Sequence, residues 1–138
     1  MAISNKTGKV LLTTGNKSEL AVGYSTLYGD MCGSFAPLKD LYKTEVFTLA
    51  KEEANRDKIS IPEAVIERLP TAELSKDQYD IDTLPPYSVL DEILINFIEN
   101  KKSLDEICEL GFEKSLVSSV INMVIRNEYK RRQHAPGV

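Results

Sequence analysis

"KVLLTTGNKSELAVGYSTLYGD", residues 9–30, is the stretch on which the fold turns. Its first part, Lys9-Val10-Leu11-Leu12-Thr13, is short, apolar and β-capable, and Thr14-Gly15-Asn16 stops it. Such a run suits a buried parallel strand, although an apolar run this short does not by itself exclude a helix. From Thr13 to Asp30 the chain holds three glycines, two acids and one lysine, a more specific mixture than a reversal of direction needs. Ser18 to Tyr24 fits a short helix with Asn16 or Lys17 near its start. In open α/β sheets, ligands sit in the crevice beyond the carboxyl ends of strands, and Thr14-Gly15-Asn16 lies at such an end. Gly15 lets a backbone approach a ligand closely, and the Thr14 hydroxyl can donate or accept. Glu19, near the helix start, has two readings: a carboxylate for Mg²⁺ or ligand hydroxyls, or a complement to the helix dipole.

Outward from this stretch, Gly29, Gly33 and Pro37 mark a loop from Tyr28 to Pro37. Asp40 is placed to cap a helix from about Tyr42 to Asn55, with Val46, Phe47, Ala50 and Ala54 on one face. Ser60-Ile61-Pro62-Glu63 opens a brief helix that ends near Leu69-Pro70. Residues 70–86, "PTAELSKDQYDIDTLPP", have no period and three prolines, and read as a long loop;. Ser88 then caps a helix whose Leu90, Ile93, Leu94, Phe97 and Ile98 follow the spacing of a buried helical face. Ser103-Leu104-Asp105-Glu106 is a capping box for a short helix stopping at Gly111. A last helix, about Glu113 to Tyr129, turns Leu116, Val117, Val120, Ile121 and Val124 inward. One strand with five or six helices is an unbalanced α/β inventory. A parallel strand needs neighbours. Either the fold is mainly helical, or the sheet's other strands lie elsewhere and the chain is a piece; the second is the better fit.

At 138 residues, 42% hydrophobic and 28% charged, the chain reads as one soluble globular domain;. No apolar run approaches the ~20 residues of a membrane span. The first six residues lack a signal-peptide core, which makes the cytoplasm the expected location. Cys32 and Cys108 stand in no metal or redox spacing and are expected as buried, reduced thiols. The net charge of −4 argues against nonspecific nucleic-acid binding;. The charge is uneven: Glu73 to Glu92 carries six acids and one lysine, whereas residues 126–138 carry four basic residues and one acid.

Several residues carry both a bland and a functional reading. Asp30, after Gly29, suits a turn. Lys43 near a helix start is at the wrong end for a cation, which hints at an anionic ligand, although a solvated lysine fits too. Thr71 offers a hydroxyl to a phosphate or to a helix end. Lys130, Arg131 and Arg132 complement the C-terminal end of a helix dipole or meet a phosphate. His134, the only histidine, is expected as a solvated tail residue.

In order along the chain, "LLTTGNKSELAVGYSTLYGDM", "KDLYKT", "IPEAVIERLPTAEL", "DQYDIDTLPPYSVLDEIL" and "EYKRRQ" closely resemble NAD⁺ synthetase, most of all the synthetase domain of the glutamine-dependent enzymes. The resemblance covers nearly the whole chain. It implies the C-terminal portion of an adenine-nucleotide α-hydrolase-like α/β domain. It also implies an ATP-dependent ligase: the carboxylate of deamido-NAD⁺ is adenylated, pyrophosphate leaves, and ammonia, from glutamine, displaces AMP. By the same resemblance Thr14, Lys43 and Thr71 would bind ATP, and Glu19 would bind a metal, Mg²⁺, or deamido-NAD⁺. Lys130 would reach deamido-NAD⁺, and Asp30 would lie at the nicotinate and ammonia pocket as the catalytic residue. Family members dimerise through this region, so a homodimer is implied, with neither nucleic acid nor membrane as partner.

The sequence also departs from the family pattern. The Ser-Gly-Gly-x-Asp-Ser pyrophosphate loop and the glutaminase domain with its cysteine nucleophile are absent from these residues. Many family members carry an aspartate near the position of Ser34. The chain is therefore expected to be a fragment that does not make NAD⁺ unaided. The competing expectation is a noncatalytic helical module for dimerisation or interaction.

Overall fold

The structure is a computed structural model that describes residues 1–54, 61–68, 80 and 83–138. Its elements are α1 (Ala2–Thr7), α2 (Lys17–Val22), α3 (Lys43–Ala54), α4 (Glu63–Ile66), α5 (Tyr87–Leu94), α6 (Leu104–Cys108), α7 (Lys114–Arg126) and α8 (Glu128–Arg131). Helix α5 runs on without a break into one π-helical stretch, Ile95–Glu99.

The core is built around α5, which packs on α2, α3 and α7, while α6 lies on α7. Leu90, Ile93 and Leu94 of α5 are completely buried and meet Ala21 and Val22 of α2, Val117, Val120 and Val124 of α7, and Ile107 of α6. Burying each large aliphatic side chain contributes about 1.5–3 kcal/mol, so this cluster is what holds the short helices in place. Phe97, Ile98, Leu116 and Ile121 pack on its rim. The inward faces foreseen for α5 and α7 are the observed ones.

The strand expected at residues 9–13 shrinks to a single parallel bridge from Leu12 to Phe35, framed by Ser34 N–H donating to Leu11 O (2.8 Å) and Thr13 N–H to Phe35 O (3.0 Å). A second parallel bridge joins Ala36 to Gly137. The segment was expected to be buried on both faces. Instead Val10 is 70% and Leu12 56% exposed, since one bridged neighbour gives a strand no layer to lie beneath;.

Helix ends differ from expectation in instructive ways. Asp40 does not cap α3; its carboxylate pairs with Lys17 at 2.9 Å. The first amides of α3 donate instead to side chains from elsewhere in the chain: Lys43 N–H to Ser18 Oγ (2.8 Å) and Thr44 N–H to Asp91 Oδ2 (2.9 Å). Nor does Ser88 cap α5, which starts directly after Pro86, leaving Ser88 within the first turn. Pro62 precedes α4, whose end at Ile66 comes earlier than expected. The capping box of Ser103 and Glu106 is present, and the chain leaves α6 through Gly111 at φ 102°. The long last helix divides at Asn127, whose side-chain amide donates to Val22 O (2.8 Å) and Met123 O (2.9 Å). Helix α1 had no sequence signal. It ends on Gly8 in the left-handed region, φ 68°.

Candidate functional site

Helix α2 organises the site. Asn16 and Glu19 form a reciprocal capping box: Glu19 N–H donates to Asn16 Oδ1 (3.0 Å) and Asn16 N–H to Glu19 Oε2 (3.4 Å). The helix ends at Gly23, whose φ of 73° suits glycine;. A β-carbon there would also lie 2.1 Å from Asn127 Cγ.

The other Glu19 oxygen, Oε1, receives the Lys43 ammonium at 2.9 Å, with both side chains about four-fifths covered. The same ammonium stands 5.4 Å from the Tyr87 ring centroid and 5.7 Å from that of Phe47. Both distances are within the ~6 Å reach of a cation–π contact. A cation at the start of α3 opposes that helix's dipole, and here the compensating anion is the Glu19 carboxylate. Tyr87 is fixed in turn by its hydroxyl, which donates to Asp80 Oδ2 (2.6 Å). Burial, then this hydrogen bond, pushes the Tyr87 phenol well above its ordinary range.

Beneath the pair lies a buried node that the sequence reading missed. Ser18 Oγ donates to Asp91 Oδ1 (2.5 Å), and both the N–H and the hydroxyl of Thr44 donate to Asp91 Oδ2 (2.9 and 2.8 Å). Ser18 is fully buried and Asp91 nearly so. One carboxylate thus ties α2 to α3 and α5. The available signal was an acid beside Leu90 in an otherwise apolar helical face.

Thr14 and Asp30 come together at a second place, a cleft of about 490 Å³ that Gly29 and Cys32 also line. Both are exposed. Asp30 also builds its own turn: Oδ1 accepts Thr26 N–H (2.5 Å), and its main-chain oxygen accepts the Thr13 hydroxyl (2.7 Å). The turn reading and the cleft position hold together.

Lys130 sits at the opposite end of α2, roughly 9 Å along a six-residue helix from its start;. Its ammonium donates to Gly23 O (2.8 Å) and Ser25 O (2.7 Å). Arg131 donates to Ala21 O (2.7 Å) and Val124 O (2.6 Å), and burial lowers its pKa. Arg132 pairs with Glu128 at 2.7 Å. Lys130 and Arg131 therefore close the C-terminal ends of α2 and α7, whereas Arg132 makes only a surface ion pair. Thr71 lies outside the described residues.

Two expectations change. His134 is half-buried, not solvated: its Nε2 is enclosed without a hydrogen-bond partner, because the tail folds back so that Gly137 bridges Ala36. It lines a second cavity, of about 380 Å³, with Lys17, Lys39 and Arg131. Lys17 there is pulled down by burial but raised overall by Glu99 and Asp40. Cys32 and Cys108 are free thiols, but half-buried instead of buried.

Among the described residues no group of three histidine, cysteine or acidic side chains is placed to enclose a metal. Glu19 offers a single carboxylate. That donor set fits Mg²⁺ carried on substrate phosphates, which takes one or two carboxylates, and does not fit a resident cage.

The sequence profile of the NAD synthase family matches residues 1–134. The chain belongs to this family. It is 57% identical to a glutamine-dependent NAD(+) synthetase of Acinetobacter baylyi, over 99% of this chain and 26% of that protein. It is 55% identical to the one from Xanthomonas campestris pv. campestris, over 99% of this chain and 25% of that protein. The crystal structure of a glutamine-dependent NAD(+) synthetase from Cytophaga hutchinsonii superimposes with a TM-score of 0.75 at 25% identity, covering 99% of this chain and 22% of that one. The chain thus spans about a quarter of the length of the curated relatives it matches. Its fold is that of the NAD synthetases, the expected α/β adenine-nucleotide α-hydrolase-like class, with the described part mostly helical and the sheet reduced to two bridges. No helix among the described residues is long and apolar enough to cross a membrane.

Proposed function

We propose that this NAD synthase family chain is the C-terminal portion of a ligase domain and forms one wall of a site that converts deamido-NAD⁺ to NAD⁺. The substrates in this reading are ATP, deamido-NAD⁺ and ammonia released from glutamine, and the setting is the cytoplasm. The nicotinate carboxylate attacks the α-phosphorus of ATP, forming a C(O)–O–P bond while pyrophosphate departs. Ammonia then adds to the acyl carbon and AMP leaves, because AMP is a far better leaving group than oxide. Mg²⁺, where bound, offsets phosphate charge. Lys43 takes the ATP phosphates, Thr14 contacts the nucleotide and Thr71 closes over the adenylate. Glu19 holds the cation or deamido-NAD⁺, Asp30 lies at the nicotinate and ammonia pocket, and Lys130 reaches deamido-NAD⁺ by releasing a carbonyl of Gly23 or Ser25.

The observation that carries this reading is the meeting of Glu19 and Lys43, 2.9 Å apart, in a chain whose residues 1–134 match the family. The test is calorimetric titration of the chain with deamido-NAD⁺ and ATP. Binding that is lost in Glu19→Ala and Lys130→Ala supports it. The purified chain is expected to form no NAD⁺ from deamido-NAD⁺, ATP and ammonia, since no pyrophosphate loop is among its residues. NAD⁺ formation would refute the single-wall reading.

A second reading is a noncatalytic module for homodimerisation, in which the exposed Ile3 (79%), Val10 (70%) and Tyr28 (86%) are available to a second copy. Concentration-dependent dimerisation without nucleotide binding selects it.

A further inference from the structure

The second cavity, of about 380 Å³, meets α2 through Lys17, Leu20 and Ala21, which recur at i, i+3 and i+4 and so share one face of the helix;. Neither Glu19 nor Lys43 lines it. Ile98 and Val124 join Leu20 and Ala21 to make one wall apolar, while Lys17, Lys39 and Arg131, all half-buried, bring three cations to the same space. Those three charges are not equally balanced. Lys17 meets Asp40 at 2.9 Å and Glu99 at 2.6 Å. Among the described residues, Lys39 makes one bond, to Ala135 O (3.0 Å), and Arg131 makes two, to Ala21 O and Val124 O. These acceptors are main-chain carbonyls and carry no net charge. An ammonium has three N–H donors and a guanidinium five, so two remain on Lys39 and three on Arg131. Burial lowers the Arg131 pKa, and Glu128, the acid that opposes this, is bonded to Arg132. Among the described residues Asp40 is the only carboxylate in the lining, and its ion pair is with Lys17. Two cations with spare donors and no anion thus stand beside an apolar wall.

We propose that this cavity binds an organic anion, with a carboxylate or phosphate taken by Lys39 and Arg131 and a small apolar body laid against Leu20, Ile98 and Val124. A guanidinium fork suits either anion, because two parallel N–H groups match two of its oxygens. The volume is at the small end of ligand pockets, ~300–1,000 Å³, which limits the body to about the size of one ring or a short branched chain. The His134 ring completes the lining; its Nε2, enclosed beside Gly15, takes no part in holding the anion. None of these contacts depends on the chain being part of a ligase.

Titrations of the full chain, followed by the methyl resonances of Leu20, Ala21, Ile98 and Val124, test the site. Benzoate carries both the charge and the ring. Phenyl phosphate changes the anion, benzamide removes the charge and acetate removes the ring. Benzoate or phenyl phosphate is expected to move these methyls with a Kd on the order of 1 mM, and the tighter of the two identifies the anion. Benzamide and acetate are each expected to bind about 10-fold more weakly, one lacking a charge-assisted hydrogen bond and the other the buried ring. Benzamide equal to benzoate means an apolar hollow with no use for charge, and acetate equal to benzoate means loose ion pairing; either overturns the proposal. So does a failure of both benzoate and phenyl phosphate to move the methyls. Lys39→Met should weaken the better ligand about 10-fold, and Lys39→Arg should restore most of the loss. Because Lys39 also holds the tail at Ala135, a second variant leaves it alone: Ile98→Trp fills the cavity from the apolar side and should exclude the ligand. Unchanged affinity in either Lys39→Met or Ile98→Trp refutes the site.

Discussion

Replacing Asp91 tests whether the buried node holds the site together. The carboxylate accepts from the Ser18 hydroxyl at 2.5 Å, the Thr44 amide at 2.9 Å and the Thr44 hydroxyl at 2.8 Å. Asp91→Ala strands the first two donors in the interior, while the Thr44 hydroxyl can rotate toward another acceptor. Each stranded donor costs about 1–3 kcal/mol, and removing a buried charge returns part of that. The net loss expected is ~3 kcal/mol, a fall in Tm of about 10–15 °C for a chain this long. Asp91→Asn keeps the shape but only one acceptor oxygen: with that oxygen on the Thr44 donors, the amide N–H₂ faces Ser18, whose hydroxyl must turn to accept, and the charge assistance is lost, so ~1.5 kcal/mol is expected;. Ser18→Ala removes both the donor to Asp91 and the acceptor of Lys43 N–H, at ~2 kcal/mol;. Because one bond is common to both substitutions, the double variant should fall short of the sum by about 1 kcal/mol. Urea unfolding followed by circular dichroism reads all four values, with an unchanged m-value as the check on comparability. If Asp91→Ala lies within about 0.5 kcal/mol of the unsubstituted chain, the node does not bind α2, α3 and α5 into a unit. Strict additivity with Ser18→Ala would say the same.

Three further outcomes follow from local geometry. Gly23→Ala should cost ~2 kcal/mol or more in urea unfolding, since Gly23 sits at φ 73° and a β-carbon would strike Asn127, 2.1 Å away;. Ser103→Ala should weaken the chain at neutral pH, with the difference narrowing in acid. The Ser103 hydroxyl, then its amide, holds the Glu106 carboxyl below its ordinary 4.5, so this contribution is complete above 4.5 and is lost as pH falls through the lowered value;. Unfolding midpoints at pH 7 and in the acid range below the ordinary carboxylate pKa check the sign. Lys130→Met should cost ~1.5 kcal/mol with no ligand present, because Gly23 and Ser25 carbonyls lose a charged donor;. A melting curve unmoved by that change would show these bonds to be incidental.

What the sequence revealed depended on range. The inward faces of α5 and α7 were legible because a helical face repeats within a few residues of itself. So was the Ser103–Glu106 cap, which closes over three residues. The caps at Asp40 and Ser88 were misread for the opposite reason. Asp40 has a suitable side chain, but Ser18 and Asp91, 25 and 47 residues from their partners, reach the start of α3 instead, while α5 begins one residue before Ser88, directly after Pro86, with no side-chain cap. A local rule has no means of seeing a donor that arrives from another helix. The strand was misread more subtly: the apolar run of Val10, Leu11 and Leu12 states an ability to be buried, whereas burial itself needs neighbours that its own residues do not specify.

The candidate site shows why residue identity alone left each reading double. Glu19 both completes a capping box and binds Lys43; Asp30 both closes a turn and lines a cleft; Lys130 both ends α2 and carries an ammonium near its carbonyls. These are not alternatives, because the same hydrogen bonds that make each residue structural also fix where its charge stands. A charge so fixed loses little further entropy when a ligand comes, but must first surrender a bond. Activity loss on mutation would therefore not separate the two roles. A readout of the partner does: whether Lys43 is released when Glu19 is taken is a question about one bond, and its answer differs between a site and a scaffold.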